Sequence, residues 1–179
     1  MELPKISCRC ITYGRVDFLE ELLYSYINQE YDGWSELVIV NDYPLQKLHF
    51  DHPNVRIYNL DKTFPIIGEK ENFITNLCKG DLIAVFDDDD VALPNHLLNI
   101  ATWFKSDTAL LHWANGVYFN VPNITALTFL GNSGIVFSKK AWKEIGGHPL
   151  ENAGYDMTFV ETLHRRFPNN VVMAHPDNI

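Results

Sequence analysis

The stretch that decides the fold is Gly80-Asp81-Leu82-Ile83-Ala84-Val85-Phe86-Asp87-Asp88-Asp89-Asp90. Its apolar run, residues 82–86, is typical of a buried central strand. The four carboxylates that follow repel one another, and folding alone gives no reason to place them together. Hard divalent cations such as Mg²⁺ or Mn²⁺ take oxygen ligands and would offset this repulsion. Because open α/β sheets bind ligands at the carboxyl ends of their strands, the stretch predicts a metal site there, with a solvated acidic turn as the alternative.

Strand and helix patterns alternate on both sides of this stretch. Asp17, with Glu20 three residues later, predicts a capping box that opens the first helix, and Gly80 is placed to stop the second. Pro94 suits the first turn of the helix after the acidic run. The alternation predicts an α/β fold, a three-layer α/β/α sandwich with a mostly parallel central sheet. The predicted strands cover residues 6–11, 37–40, 55–58, 82–86, 109–112, 117–119, 135–137 and 171–174, and the predicted helices cover residues 17–27, 68–79, 94–104, 141–145 and 156–166.

Composition and charge limit the function classes. The chain has 179 residues, enough for one domain with a proper core, and 46% of them are hydrophobic. The formal net charge of −9 disfavours a nucleic-acid partner, because a protein that binds DNA or RNA usually has a broad positive surface. No apolar run reaches the roughly 18 residues of a transmembrane helix. Cys8, Cys10 and Cys78 have neither a disulfide-framework nor a zinc-site spacing, so they predict reduced thiols in a cytoplasmic protein.

Four blocks in order carry a family resemblance. They are Ile67-Gly68-Glu69-Lys70-Glu71-Asn72, then Gly80-Asp81-Leu82-Ile83, then Phe86-Asp87-Asp88-Asp89-Asp90, and last Gly131-Asn132-Ser133-Gly134 continued through Lys139 to Ile145-Gly146-Gly147-His148-Pro149. The chain resembles the inverting glycosyltransferases with the GT-A fold, glycosyltransferase family 2. Members of that family carry a similar Gly-x-Lys-Arg-Asn helix start, a Gly-Asp before a strand, an Asp-x-Asp at its end, and a glycine-rich strand, helix and Gly-Gly turn. The resemblance extends from Ile6 to His175.

The resemblance implies a fold, a reaction and a cofactor. The fold is a single GT-A (Rossmann-like) domain over residues 1–179, with a nucleotide-binding half at about 1–92 and an acceptor and catalytic half at about 93–179. The reaction is transfer of a sugar from a nucleotide-diphosphate donor, with a UDP-sugar favoured, to the hydroxyl of a glycan or other acceptor. Mn²⁺ or Mg²⁺ would serve as the Lewis acid that stabilises the departing diphosphate.

The acidic run supplies the metal ligands in this interpretation. In an extended backbone Asp87 and Asp89 point to one side, and Asp88 and Asp90 point to the other. By the resemblance Asp89 is the direct metal ligand, Asp87 contacts the ribose or a metal-bound water, and Asp88 is the second choice for the ribose. Asp90 has capping of the following segment as an alternative role. His175 is expected to complete the metal shell, or else to be a surface or capping residue.

The predicted nucleotide site lies at the ends of the first two strands. The resemblance places the base and ribose at the loop Thr12-Tyr13-Gly14-Arg15, where Tyr13 would either stack on the base or pack within the protein. Asp42 would hydrogen-bond the base, with an Asx turn as the alternative. Lys70 would meet a phosphate or the base, or be a solvated helix lysine. Glu71 departs from the family, whose members often have arginine at this position.

Asp156 is the predicted general base. An inverting transfer needs a group that deprotonates the attacking acceptor hydroxyl. The family usually supplies it from a Glu-Asp pair that opens a helix, so Asp156 matches the aspartate and Tyr155 replaces the glutamate. The alternative role of Asp156 is to cap that helix. The side chains expected to line the sugar pocket are Trp113, Asn115, Asn132 and Ser133.

Two other classes of function stay open. The first is a nucleotidyltransferase or another metal-dependent nucleotide enzyme on a similar fold, although residues 12–15 contain a single glycine and such enzymes usually have a glycine-rich phosphate loop. The second is a nucleotide-sugar-binding module without turnover, which Glu71 and Tyr155 favour and Asp156 opposes. Few residues follow the last predicted strand, so we expect a homodimer partner or another protein to complete the acceptor site. We expect the protein in the cytoplasm or peripherally at the inner face of a membrane.

Overall fold

The computed structural model describes residues 2–104, 107–113, 116–120, 123–127 and 134–174. Within these ranges it has nine strands and five helices. The strands are β1 Ile6–Thr12, β2 Ser35–Asn41, β3 Val55–Asn59, β4 Leu82–Val85, β5 Leu110–Trp113, β6 Gly116–Asn120, β7 Asn123–Leu127, β8 Ile135–Ser138 and β9 Val171–Ala174. The helices are α1 Val16–Ile27, α2 Ile67–Leu77, α3 His96–Trp103, α4 Lys139–Glu144 and α5 Tyr155–Arg166.

Seven strands form one sheet in the order β3-β2-β1-β4-β8-β5-β9. The pairs β3–β2, β2–β1, β1–β4 and β5–β9 are parallel, whereas β8 runs antiparallel between β4 and β5. A separate hairpin pairs β6 with β7. The α/β class and the mostly parallel sheet are therefore confirmed, and the ends of β2, β1 and β4 meet at one edge.

The sheet is buried on both faces, which gives the fold its three layers. Alternate residues of β1 face opposite sides. Cys8 and Cys10 join a cluster with Leu22 of α1 and Leu97 of α3. The other face packs a second cluster, in which residues of β4 and β8 contact α2, α4 and α5 through Ile74, Trp142 and Phe159. A fully buried side chain of this size contributes roughly 1.5–3 kcal/mol.

The segment 148–152 ties the second half of the chain to the start of α2. The Asn72 side chain donates to the His148 carbonyl (2.9 Å) and accepts from the His148 amide (2.7 Å). Gly68 donates its amide to the Glu151 carbonyl at 3.2 Å. A Cβ at Gly68 would lie 1.8 Å from the Pro149 carbonyl oxygen, so this close approach requires glycine. The chain segments on either side of residue 92 thus contact each other directly.

The predicted helix boundaries were wrong at several points. Helix α3 begins at His96 with Asn95 as N-cap, so Pro94 lies before the helix and not in its first turn. Helix α4 begins at Lys139, two residues earlier than predicted.

Helix α1 begins at Val16 with Arg15 as N-cap and makes no side-chain capping hydrogen bond, so the capping box of Asp17 and Glu20 does not form. Helix α2 ends at Leu77, before Gly80. Gly80 instead lies against β1, where a Cβ would come within 2.5 Å of the Ser7 nitrogen. Glycine is required at position 80 because the two backbones approach closely there, and not because a helix ends there.

Two strand predictions also need correction. Strand β4 ends at Val85, one residue earlier than predicted, because the backbone turns at the acidic run. Strand β7, Asn123–Leu127, was not predicted from the sequence. None of the helices in the described part of the chain has the length and apolar character needed to cross a bilayer.

Candidate active site

Asp88 is the buried centre of the cluster at the sheet edge. Its carboxylate accepts from the Thr12 hydroxyl at 2.7 Å and from Arg15 Nε at 3.0 Å, and it forms a second contact with the Arg15 guanidinium. The Asp88 side chain is 3% exposed, whereas the Arg15 side chain is 46% exposed. Hydrogen bonds from Arg15 to Asp88 raise the Arg15 pKa above its ordinary value. The charge-assisted pair therefore has one buried and one accessible partner.

The acidic run forms a turn, which overturns the extended geometry assumed from the sequence. The Asp90 amide donates to the Asp87 carbonyl at 3.1 Å, which closes a turn with Asp88 and Asp89 as its two central residues. Arg15 bridges these two residues, since its guanidinium also lies 3.1 Å from the Asp89 carboxylate. The Asp89 side chain is 46% exposed. Asp88 and Asp89 thus share Arg15 as a side-chain partner.

Lys70 and Asp42 form a buried ion pair beside this cluster. The Lys70 ammonium contacts the Asp42 carboxylate and donates to the Thr12 carbonyl at 2.8 Å. The second Asp42 oxygen accepts from the Phe64 amide at 2.9 Å. The solvated-lysine alternative for Lys70 is therefore wrong, because its side chain is 7% exposed. The Asx-type contact predicted for Asp42 belongs to Asn41, whose side-chain oxygen accepts from the Tyr43 amide at 3.1 Å.

Tyr13 and Tyr43 form an aromatic pair at the mouth of the site. Their ring centroids are 4.9 Å apart and the rings are tilted by 58°. Tyr13 is 52% exposed, so one part of its surface packs in the protein while the rest stays open. Gly14, between Tyr13 and Arg15, has φ +72°, the left-handed conformation that glycine adopts without strain.

Arg9 and Glu71 form a second buried ion pair, which the sequence analysis missed. Arg9 NH1 lies 2.7 Å from Glu71 Oε2, and both side chains are at most 1% exposed. Burial raises the pKa of Glu71 to about 7, and the nearby Asp87 carboxylate acts in the same direction. The Arg9 guanidinium and the Tyr155 hydroxyl favour the charged form of Glu71 and oppose this rise. The available signal was a charged residue at the centre of the first predicted strand.

Asp156 lies in the first turn of α5. Gly154 is the N-cap, with φ +70°, and α5 has no side-chain capping hydrogen bond. The predicted alternative, a side-chain cap by Asp156, is therefore wrong, although its charge still complements the helix N-terminus. Asp156 is half-buried and adjoins Tyr155, whose pKa is raised by burial first and by Glu71 next.

His148 is a neutral core residue. Its Nδ1 accepts from the Trp142 indole at 3.2 Å, and its ring stacks on Phe159 with centroids 3.9 Å apart. Burial lowers its pKa well below the ordinary value, so the imidazole stays uncharged. The Gly146-Gly147-His148-Pro149 block thus anchors α4, α5 and the segment 148–152.

Several predicted residues lie outside the described residues, namely His175, Asn115, Asn132 and Ser133, while Trp113 is the last residue of β5. Among the described residues, no three His, Cys, Asp or Glu side chains form a group able to hold a metal ion by themselves. Mg²⁺ is usually bound through one or two carboxylates plus substrate phosphates. The accessible oxygens of Asp89 and Asp87 fit that donor set, because one is exposed and the other half-buried at the same edge.

Comparisons with known proteins give one family. The model of glycosyl transferase family 2 matches residues 9–157. An uncharacterized glycosyltransferase of Bacillus subtilis, YwdF, is 32% identical over 102 residues, 54% of this chain and 37% of the relative. An uncharacterized glycosyltransferase of Haemophilus influenzae is 30% identical over 128 residues, 66% of this chain and 38% of the relative. The chain thus spans less than two fifths of the length of these relatives.

Solved structures confirm the GT-A fold. Staphylococcus aureus TarS (residues 1–349) in complex with UDP-GlcNAc has a TM-score of 0.75 at 16% identity, over 96% of this chain and 56% of that one. The mannosyltransferase PcManGT of Pyrobaculum calidifontis, in complex with GDP-Man and Mn²⁺, has a TM-score of 0.73 at 13% identity, over 98% of this chain and 56% of that one. At these identities the likeness concerns the fold alone.

Proposed function

Since the chain belongs to glycosyl transferase family 2, we propose that it is the catalytic domain of a metal-dependent inverting glycosyltransferase. Its donor is a nucleotide-diphosphate sugar, with UDP as the favoured nucleotide, and its acceptor is a hydroxyl group of a glycan or similar molecule. The observation that carries the proposal is the Arg15 bridge between the buried Asp88 and the exposed Asp89, at the carboxyl end of a central strand.

The donor half of the site fits this role by its chemistry. Thr12 and Asp88 present hydroxyl and carboxylate oxygens at the edge where α/β sheets take nucleotides. Arg15 supplies a partly exposed fork of N–H donors that suits diphosphate oxygens. Tyr13 offers an open aromatic surface for a base. The Lys70–Asp42 pair, buried behind them, fixes the end of β1 through the Thr12 carbonyl.

A divalent cation suits the acidic turn. Asp89 and Asp87, together with donor phosphates, would hold Mn²⁺ or Mg²⁺, and the cation would supply charge stabilisation for the departing diphosphate. The residues of the chain hold these carboxylates in place, since the turn is closed by the Asp90 amide and Asp88 is fixed by Thr12. A ligand role for His175 stays a prediction.

Asp156 is the proposed general base. It is half-buried at the start of α5, and a base works best near the reacting oxygen in a partly desolvated site. In the proposed reaction its carboxylate accepts the proton of the acceptor hydroxyl as that oxygen attacks the anomeric carbon. A homodimer partner or another protein would complete the acceptor site.

The test is calorimetric titration of UDP, GDP and dTDP into the chain, with and without Mn²⁺. We expect one nucleotide to bind in a Mn²⁺-dependent way and Asp89→Asn to weaken that binding at least tenfold. Asp32→Asn is the matched control, because Asp32 is exposed and lies before β2, at the opposite edge of the sheet. Absence of binding by a folded chain, or equal loss in both variants, would refute the donor-site assignment.

A further inference from the structure

Burial of the Arg9–Glu71 pair is energetically unfavourable for folding. Both charges are withdrawn from water in the middle of the molecule, and none of the three guanidinium nitrogens makes a hydrogen bond of normal geometry within the described residues. Replacing a buried ion pair by apolar residues of similar volume is often neutral or stabilising. Packing therefore gives no reason for a charge at the centre of β1, which indicates that the pair has another role.

The sheet register places Arg9 next to the acidic turn. Arg9 pairs with Val85 of β4, and its carbonyl accepts from the Phe86 amide at 2.9 Å. Asp87 directly follows Phe86, whose amide is bound to Arg9, and its carboxylate acts electrostatically on the Arg9 guanidinium, whereas Asp88 meets Thr12.

Four side chains consequently form one electrostatic unit, the Arg9 cluster, consisting of Arg9, Glu71, Asp87 and Tyr155. Burial lowers the pKa of Arg9, and the Glu71 and Asp87 carboxylates act against it and stabilise the Arg9 charge. Tyr155 opens α5 and also interacts with Glu71 of α2. The cluster thus connects the end of β4, the start of α2 and the start of α5. The two positions that depart from the family pattern, Glu71 and Tyr155, belong to the same cluster.

We propose that Arg9 is a positioning residue, which fixes the Asp87 carboxylate of the donor site and, through Glu71 and Tyr155, holds the first turn of α5 beside it. This inference rests on the proposed function for its consequence, because α5 carries Asp156. The buried charge of Arg9 replaces the positive charge that the family often places at the position of Glu71. The cluster keeps the metal-binding turn and the base-bearing helix in one fixed arrangement.

The test uses the Arg9→Met/Glu71→Met double variant, which removes both charges while keeping similar volume. We expect a folded protein with a thermal midpoint close to that of the wild type. We expect amide hydrogen exchange at residues 87–90 and 154–158 to accelerate about tenfold, since these segments lose their common anchor. Binding of UDP with Mn²⁺ is expected to weaken about tenfold, the usual range for a supporting residue of a metal site.

Two further variants keep the test decisive. Tyr155→Phe removes one hydroxyl with little risk to folding and should accelerate exchange in both segments about threefold. Arg56→Met is the matched control, because Arg56 pairs with the buried Glu36 at the opposite edge of the sheet (2.6 Å). It should leave exchange at both segments unchanged.

The outcomes separate this inference from the proposed function. If the wild type binds no UDP, the proposed donor fails, but the exchange rates still test the Arg9 cluster. Unchanged exchange at residues 87–90 and 154–158 in Tyr155→Phe, or in the folded double variant, would overturn the positioning role. Equal acceleration in Arg56→Met would overturn it as well, since the effect would then reflect general loss of stability.

Discussion

Arg9 and Arg15 are six residues apart, yet they are used in opposite ways. Arg9 is 1% exposed and pairs with a Glu71 carboxylate that solvent does not reach. Arg15 is 46% exposed and bridges the buried Asp88 and the exposed Asp89. A buried pair resists exchange of partners, because each charge left alone would be strongly destabilised. The Arg15 guanidinium is accessible to solvent, so it can exchange a carboxylate partner for a ligand more readily than Arg9 can.

The difference assigns separate tasks to the two faces of the sheet. Arg15, at the start of α1, would under the proposed function exchange a carboxylate partner for a diphosphate oxygen. The face of α2 and α5 carries an arginine fixed in the structure. Four predictions test this assignment, in order of decreasing expected effect.

The largest effect is expected on the rate of sugar transfer, when the proposed general base on α5 is replaced. Asp156→Asn should lower sugar transfer by about 10²–10⁴-fold, the usual contribution of a general base. It should leave nucleotide binding and thermal stability nearly unchanged, because Asp156 makes no capping hydrogen bond. Initial rates with a responsive acceptor, compared with calorimetric UDP affinity, provide the measurement. Parallel loss of rate and affinity would contradict the base assignment.

The second prediction compares the two arginines directly. Arg9→Met should lower the free energy of unfolding by about 3–5 kcal/mol, because it leaves Glu71 buried without its partner. Urea denaturation at pH 7.5 measures the change, with Arg15→Met as the matched variant. Similar losses in the two variants would show that burial does not distinguish the pairs.

The third prediction concerns pH. Burial depresses the pKa of His148 in the folded state, so the unfolded chain binds more protons below about pH 6.5. The free energy of unfolding does not depend on His148 protonation above that pH. Below it, this free energy falls by about 1.4 kcal/mol per pH unit. His148→Gln keeps an acceptor for Trp142 and should flatten the dependence in urea unfolding between pH 7.5 and 5.5. An unchanged slope would assign acid sensitivity to other groups.

The smallest effect is expected for the stability of Arg15→Met. Because the guanidinium is half exposed and Asp88 keeps the hydrogen bond from Thr12, the loss in the free energy of unfolding should be smaller than that of Arg9→Met. The same variant should change the affinity for UDP with Mn²⁺, measured by calorimetry. A large stability loss with unchanged affinity would make Arg15 a structural residue and reverse the comparison.

Sequence predicted the fold well where patterns were long and regular. The apolar run before the acidic residues and the alternation of strands and helices were enough to predict the α/β class and a mostly parallel sheet. Boundaries were less accurate, because a local signal competes with tertiary contact. Gly80 has the sequence position of a helix stop, but its role depends on the backbone of Ser7, which is 73 residues away.

The candidate site was predicted only in part, because its geometry also depends on tertiary contacts. Thr12, Arg15 and Asp88 were expected at one edge, and they hydrogen-bond there. The extended alternation of the acidic run failed, because a turn closed by backbone hydrogen bonding replaced the strand. Arg9 was missed because β1 was treated as alternating apolar and polar, whereas a central parallel strand is buried on both faces. Its partner Glu71 is 62 residues away and requires the folded structure to be identified.

The antiparallel insertion of β8 between β4 and β5 has a consequence for biosynthesis. When residues 1–92 have emerged from the ribosome, β1 to β4 are available to pair, but β4 still lacks its neighbour on one side. The missing strand, Ile135–Ser138, emerges about two to nine seconds later at the usual 5–20 residues per second. During that interval an apolar strand edge is open to wrong pairing with other nascent chains. The acidic run directly after β4 places four negative charges beside this edge, and their mutual repulsion between copies of the chain would protect it until β8 arrives.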